Sequence, residues 1–323
     1  LVYTIYTIFL IVFCFEKSDY INYIAMGISN LLKVKIINPQ SAYNGKTVRD
    51  LAKLISFDEL EGKRIAVDAS HAIYRAFLSI KTQLTDKEGN PTQHIKVISN
   101  WLVQFAKSTL VWVFDPPETT PLKAAELQKR REVNAKNGTF SLTPNITKQI
   151  QQMLLLAGVP YVIAPSTMEA EKYAAFLCQP REGMQPFCDY VLTGDTDVLI
   201  YGAPMLYSNT DANKKKFPYK LLEPSDIYFH LNITHDQLLY IAIALGTDFN
   251  EKIPKVGPAT VVTRVKNNSI KEVFAFKEVI DYFRKDCLGM EATIVDEKPN
   301  YTELGKFLTD LGFSSSTADK LTL

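Results

Sequence analysis

Seven carboxylates stand where short apolar runs give way to turns or helix starts. They are Asp68 in IAVDAS, Asp115 in VWVFDPP, Glu169 and Glu171 in APSTMEAEKYAA, Asp195 and Asp197 in LTGDTDVL, and Asp248 in ALGTDF. Any one acid in such a place is explained as a helix N-cap or loop residue. A set of them delivered from separate segments to one edge of a sheet is not, because like charges brought together repel and raise one another's pKa values. Hard oxygen donors suit Mg²⁺, with Mn²⁺ able to substitute. Two such ions can activate a water and stabilise the leaving oxygen of a phosphodiester. No GxxxxGK[ST] sequence is present, which leaves triphosphatase chemistry unsupported. A glycosidase needs only two carboxylates. Nuclease or phosphatase chemistry is the remaining shortlist.

The elements that must carry these acids alternate between two periods. Residues 63–68, 110–114, 159–163 and 190–193 are short β-branched or aromatic runs of the kind that form buried parallel strands, and 204–207 is a candidate fifth. Between them, Ile95, Ile98, Leu102 and Phe105 have helical spacing, as do Ile146, Ile150, Met153 and Leu154, a helix that Gly158 stops. Residues 170–177 are a further helix. This alternation predicts an α/β fold with a mainly parallel central sheet flanked by helices, whose sites form beyond the carboxyl ends of the strands. After about residue 224 strand signals fade and the chain reads as helical. Ser225 and Thr234 are the expected N-caps there, and Thr234 with Gln237 makes a capping box.

Composition is that of an ordinary globular chain: 323 residues, 46% hydrophobic, 22% charged and a net charge of +1. No global basic field advertises a nucleic-acid partner, although a neutral total can hide an acidic pocket beside a basic surface. Cys14, Cys178, Cys188 and Cys287 form no C-x-x-C pair and are expected as reduced thiols. Residues 1–25 contain an apolar run, 2–15, too short for a comfortable membrane span and without the flanks of a secretory signal. They are expected to be an extension outside the working protein, with a functional start at Met26.

The phrases MGISNLLK, IAVDASHAIY, VFDPP, PLKAAELQKRR, GVPYVIAPSTMEAEKYAA, LTGDTDVLIYG and ALGTDFNEKIPKVGP resemble, in order and spacing, the flap endonuclease branch of the xeroderma pigmentosum G (XPG) family. PNYTELGKFL, residues 299–308, resembles the family segment that closes the nuclease core. The resemblance implies a PIN-like 5′ nuclease core and a C-terminal helix-turn-helix region. It also implies a monomeric enzyme that cuts branched DNA with two Mg²⁺, in replication or repair and in the nucleus. The family's metal-binding acids fall on Asp68, Asp115, Glu169 and Glu171 for one ion and on Asp195, Asp197 and Asp248 for the other. Lys123 and Arg130, two helical turns apart, fall on its two phosphate-contacting basic residues. Tyr74 matches a base-stacking tyrosine, and Gly27 a glycine at which the chain start threads past the active site.

The resemblance also implies a division of the chain into 26–132 and 158–233 as nuclease regions, 133–157 as an arch with its linking helix, and 234–323 as a helical DNA-binding region. The arch is shorter than the family's usual one, which opens the substrate range to bubbles, gaps and four-way junctions. Residues 247–262 resemble the element that grips duplex backbone and holds a K⁺ ion, with Lys255 and Gly257 as DNA contacts. There the usual Gly-x-Gly-Pro reads Lys255-Val256-Gly257-Pro258. The first glycine is lost, and Lys255 and Arg264 are the expected compensation. No sliding-clamp motif is evident near the C-terminus. The 214–216 lysine run, near Phe217 and Tyr219, is either a phosphate contact or a solvated loop. Two rival readings are a catalytically silent nucleic-acid-binding scaffold of the same fold and a single-strand or 5′ exoribonuclease of a related one.

Overall fold

The computed structural model describes residues 27–28, 30–80, 84–118, 120–124, 126–128, 132, 142–166, 168–181, 183–285, 287, 289–290, 292–314, 319 and 321. Residues 1–25, Met26, Arg130, Cys14 and most of the 129–141 stretch therefore lie outside the described residues. Seven strands form one sheet: β1 Lys53–Ile55, β2 Arg64–Asp68, β3 Thr109–Phe114, β4 Tyr161–Ile163, β5 Tyr190–Leu192, β6 Met205–Ser208 and β7 Tyr219–Leu222. Their order is β1-β7-β6-β5-β2-β3-β4. The five strands from β6 to β4 run parallel, while β7 is antiparallel to β6 and to β1.

Side chains alternate across the strands and so build two cores. Ile65 and Val67 of β2, with Trp112 and Phe114 of β3, face one layer. That layer contains α1 (Ala69–Leu78), α2 (Gln93–Gln104), α3 (Pro144–Ala157) and α10 (Tyr301–Asp310). Ala66, Val111, Val113 and Val191 face the other layer. It contains α4 (Ala170–Leu177), α5 (Asp197–Ile200), α6 (Pro224–Leu231), α7 (His235–Leu245), α8 (Val261–Lys266) and α9 (Lys277–Arg284). The expected fold class is thus the observed one, with two antiparallel strands added at one side. Both additions are short, and each places a lysine (Lys53, Lys220) among its few residues, so neither reads as a buried run.

The chain leaves β2 toward β3 and β4 on one side, then crosses back to β5 and β6 on the other. This reversal beside β2 is the topological switch point at which α/β sheets place their sites. Helix α10 returns to cap the first layer, where Leu304 and Leu308 share a core with Ile150 and Met153. The junction is tight. Gly158 ends α3 at φ 68°, and a Cβ there would lie 2.7 Å from Pro299 Cδ. The capping box at Thr234 forms as read, with Thr234 N–H donating to Gln237 Oε1 at 3.0 Å and Gln237 N–H to Thr234 Oγ1 at 3.2 Å. Ser225 is not an N-cap: Glu223 holds that place and Pro224 takes the first turn, where its missing N–H costs nothing. No helix among the described residues is long and apolar enough to cross a membrane.

Candidate active site

Each acid owes its place to the end of an element. Asp68 is the last residue of β2 and the N-cap of α1. Its Oδ1 accepts from His71 N–H at 3.1 Å and its Oδ2 from Thr193 Oγ1 at 2.9 Å. Asp115, one residue past β3, accepts from Ser70 Oγ at 2.5 Å and from Ala170 N–H at 2.9 Å, and so ties α1 to the start of α4. Glu169 is the N-cap of α4 and Glu171 lies in its first turn, where the helix dipole favours negative charge. Asp195 follows β5, its Oδ1 taking the Asp197 N–H at 2.9 Å, and Asp197 opens α5. Asp248 arrives from the turn after α7.

Lys123 ends a short 3₁₀ turn, Pro121–Lys123, and stands among these acids. Its Nζ is 2.5 Å from Glu169 Oε1, 3.3 Å from Asp248 Oδ2 and 3.7 Å from Glu171 Oε1. One ammonium therefore joins carboxylates from α4 and from the turn after α7, elements far apart in sequence. Burial works against its charge, but Glu171, Glu169 and Asp248 outweigh it and hold the Lys123 pKa well above that of a free lysine. A single cation does not balance so many anions. Burial, then the charges of Glu171 and Asp115, push Asp68 well up; burial and Glu171 do the same to Glu169. Burial and Asp195 raise Asp197, while burial and Glu171 bring Asp195 to about 7.

Among the described residues no three acid, His or Cys side chains already stand at mutual coordinating distance. The donor set nonetheless fits divalent cations. Glu169 Oε2 and Asp197 Oδ1 are buried acceptors without a hydrogen-bond partner, a costly state that a cation would relieve. All donors are hard carboxylate oxygens. Gly27, at φ 79°, passes so close that an added Cβ would overlap Asp195 Oδ1 and lie 2.6 Å from Asp197 Oδ1. The next residue is pinned there by Ile28 N–H donating to Thr196 Oγ1 at 3.0 Å.

Of the other expected residues, Tyr74 is half-buried on α1. Lys255 takes a left-handed φ of 63° in place of the lost glycine, and Gly257 is half-buried beside it with open space where a side chain would stand. Arg264 compensates differently from the expectation. Its guanidinium turns back onto the Lys255 carbonyl at 3.3 Å and the Ser269 carbonyl at 3.5 Å, and so braces the turn. Tyr219, near the lysine run, is buried in β7. Lys215 and Lys216 are exposed in the loop joining β6 to β7. Cys178, Cys188 and Cys287 are buried thiols, and the Cys287 Sγ lies 3.4 Å from Met168 Sδ.

Two positioning side chains escaped the sequence reading. Thr193 accepts from Asp195 N–H at 3.0 Å while donating to Asp68, and so links the ends of β5 and β2. A hydroxyl two residues before an Asp is an ST-turn signal that could have found it. Ser70, which holds Asp115, carries no such local signal.

Comparison with known proteins agrees with this geometry. The sequence model of the XPG N-terminal domain matches residues 26–137 and that of the XPG I-region matches 158–248. Flap endonuclease 1 of Methanococcus aeolicus is 30% identical over 302 residues, covering 80% of this chain and 86% of that protein. That of Nanoarchaeum equitans is 28% identical, covering 81% and 86%. Among solved structures, flap endonuclease-1 from Methanococcus jannaschii superposes with a TM-score of 0.68 at 25% identity, over 84% of this chain and 95% of that one. Two others share the fold. The catalytic core of Rad2 in complex with a DNA substrate gives 0.67 at 21% identity, over 85% and 96% of the chains. Human GEN1 in complex with Holliday junction DNA gives 0.62 at 22%, over 85% and 75%. On these matches, and with the acids in their places at the switch point, the chain belongs to the flap endonuclease and XPG family of nucleases.

Proposed function

We propose that this protein is a Mg²⁺-dependent, structure-specific 5′ nuclease that hydrolyses phosphodiester bonds in branched DNA, in replication or repair. The observation that carries the reading is the meeting of Asp68, Glu169, Glu171, Asp195, Asp197 and Asp248 with Asp115 around one sheet edge, with Lys123 bound to three of them. Asp68, Asp115, Glu169 and Glu171 would hold one divalent cation, and Asp195, Asp197 and Asp248 the other. Bound there, two cations supply an activated water and charge stabilisation at the leaving oxygen.

The protein's own side chains do the rest. Lys123, with Arg130 from the same sequence segment, presents positive charge to the scissile phosphate. Gly27 leaves the acids room by lacking a side chain, and Tyr74 offers a ring on which a base can stack. Lys255 and Gly257 in the turn 246–260 meet duplex backbone, where backbone amides at a helix start suit phosphate and a K⁺ ion completes the grip. The short span between Arg130 and Gly158 favours an open arch, and thus junctions and bubbles beside flaps. By the same resemblance the protein would act in the nucleus.

The test is incubation of purified protein with end-labelled flap, bubble, nicked, four-way and single-stranded DNA, with Mg²⁺ or with EDTA. Mg²⁺-dependent cuts at the junction, abolished in Asp195→Ala, are expected. Absence of cutting on every substrate, or cutting that survives the substitution, would refute the reading.

A further inference from the structure

Lys172 sits on α4 one residue after Glu171, yet it is only 4% exposed. All eight residues of this helix are buried, so it has no solvent face to offer a lysine. The ammonium donates to the Tyr282 carbonyl on α9 and stands 4.4 Å from the centre of the Tyr282 ring and 5.3 Å from that of Tyr201. A carbonyl and two aromatic faces each attract a buried cation and hold it in place.

One wall of the cage comes from an element that carries an acid, and the other packs beside a second. Tyr201 directly follows α5, which Asp197 opens. Tyr282 packs on Phe249 with ring centres 4.7 Å apart, and Phe249 is the neighbour of Asp248. Both phenol oxygens are buried, and the charges of Glu169 and Glu171 add to burial in raising their pKa values. The cage therefore adjoins the acids, and its Tyr282 wall shares the Phe249 ring with Lys123.

We infer that Lys172 is a positioning residue: by clamping α4 to Tyr201 and Tyr282, it sets the spacing of Glu169 and Glu171 from Asp197 and Asp248. The inference rests on the proposed metal-dependent activity and goes beyond it, since Lys172 touches neither substrate nor cation. Lys123 joins the acids directly; Lys172 joins the elements that support them.

The experiment is a Mn²⁺ titration by calorimetry without DNA on wild type, Lys172→Met and Lys172→Arg, with thermal unfolding as the check on folding. Replacing a group that orients metal ligands typically costs 10- to 100-fold in metal affinity. Lys172→Met, which keeps the stem's bulk, is accordingly expected to weaken Mn²⁺ binding about tenfold and to lower kcat at limiting Mg²⁺ with KM for DNA unchanged. Lys172→Arg, which keeps a cation between the rings, should stay nearer wild type. Should the Met variant not fold, Tyr282→Leu removes one wall of the cage and is expected to weaken Mn²⁺ binding in the same direction. Folded variants with wild-type or tighter Mn²⁺ affinity, or an Arg variant as weak as the Met one, overturn the inference alone. A wild-type protein that binds no Mn²⁺ removes the proposed function and the inference together.

Discussion

At the sheet edge, charge is buried and tied down; at Glu251, Lys252 and Lys255 in the turn 246–260 it is exposed. Asp68, Glu169, Glu171, Asp195 and Asp197 are each at most 8% exposed, and Asp68 and Asp195 accept hydrogen bonds from backbone amides. In the turn, Glu251, Lys252 and Lys255 are exposed, while Phe249, Ile253 and Val256 anchor the segment to the core. The edge can therefore hold reacting atoms to a fraction of an ångström, as phosphoryl chemistry requires. If the turn meets duplex backbone as proposed, it needs only to follow a repeating phosphate pattern, for which an exposed surface is sufficient. The proposed chemistry and the proposed duplex grip thus fall in regions of different burial, and the lost glycine falls in the exposed one.

That contrast is broken most directly at Asp195. Asp195→Ala is expected to lower the single-turnover cleavage rate by about 10³-fold, the scale of losing one charge-stabilising group from an enclosed site. Binding of branched DNA, measured by anisotropy, should survive. A comparable loss of binding would show that the edge also grips the substrate.

Gly27→Ala tests how tightly the edge is packed, because its Cβ would overlap Asp195 Oδ1 and would sit at a positive φ. A rate loss of about 100-fold with a stability loss of about 1–3 kcal/mol is expected, from chemical denaturation and kinetics together. Near-wild-type rates would mean that the chain moves away from the acids with ease.

A third test removes the metal. Asp195 has a folded-state pKa of about 7 against an ordinary 3.8. As pH rises from about 4 to 7, the unfolded chain releases this proton first, so the folded state binds more protons and stability falls with pH. The loss is at most on the order of 4 kcal/mol and is complete above pH 7. In EDTA the thermal midpoint should therefore fall between pH 5 and pH 8. Excess Mg²⁺, which binds the ionised acids, should flatten or invert the trend. The same slope with and without Mg²⁺ would separate these acids from metal binding.

The smallest effect is expected at Lys255. Lys255→Gly relieves a left-handed backbone and should stabilise the protein by about 1 kcal/mol. If this lysine meets a phosphate, KM for duplex-containing substrates should rise and the slope of log affinity against log salt should lessen by about one, with kcat unchanged. A changed kcat would mean that the turn reaches into the chemistry.

The acids were legible because a strand end leaves a signature, an apolar β-branched run followed by Asp, which 63–68 and 110–115 both show. The parallel core was legible for the same reason. β1 and β7 were not, since three- and four-residue strands with a lysine in each lack a buried-strand pattern. Lys123 could be named from its segment, but its bonds to Glu169 and Asp248 depend on pairings that only the folded sheet creates. Lys172 was the least visible. A lysine in a helix reads as a solvated face unless its neighbours are seen to be buried all round.

The central pairing of β2 with β5 has a consequence in time. Asp68 meets Thr193 across a separation of 125 residues. On a ribosome adding about 5–20 residues per second, β2 emerges roughly ten seconds before the strand that completes its site. For that interval Asp68 has none of its partners from the far half of the sheet. The acid cluster cannot assemble until most of the chain has emerged, so a nascent or truncated chain would hold no nuclease activity to release.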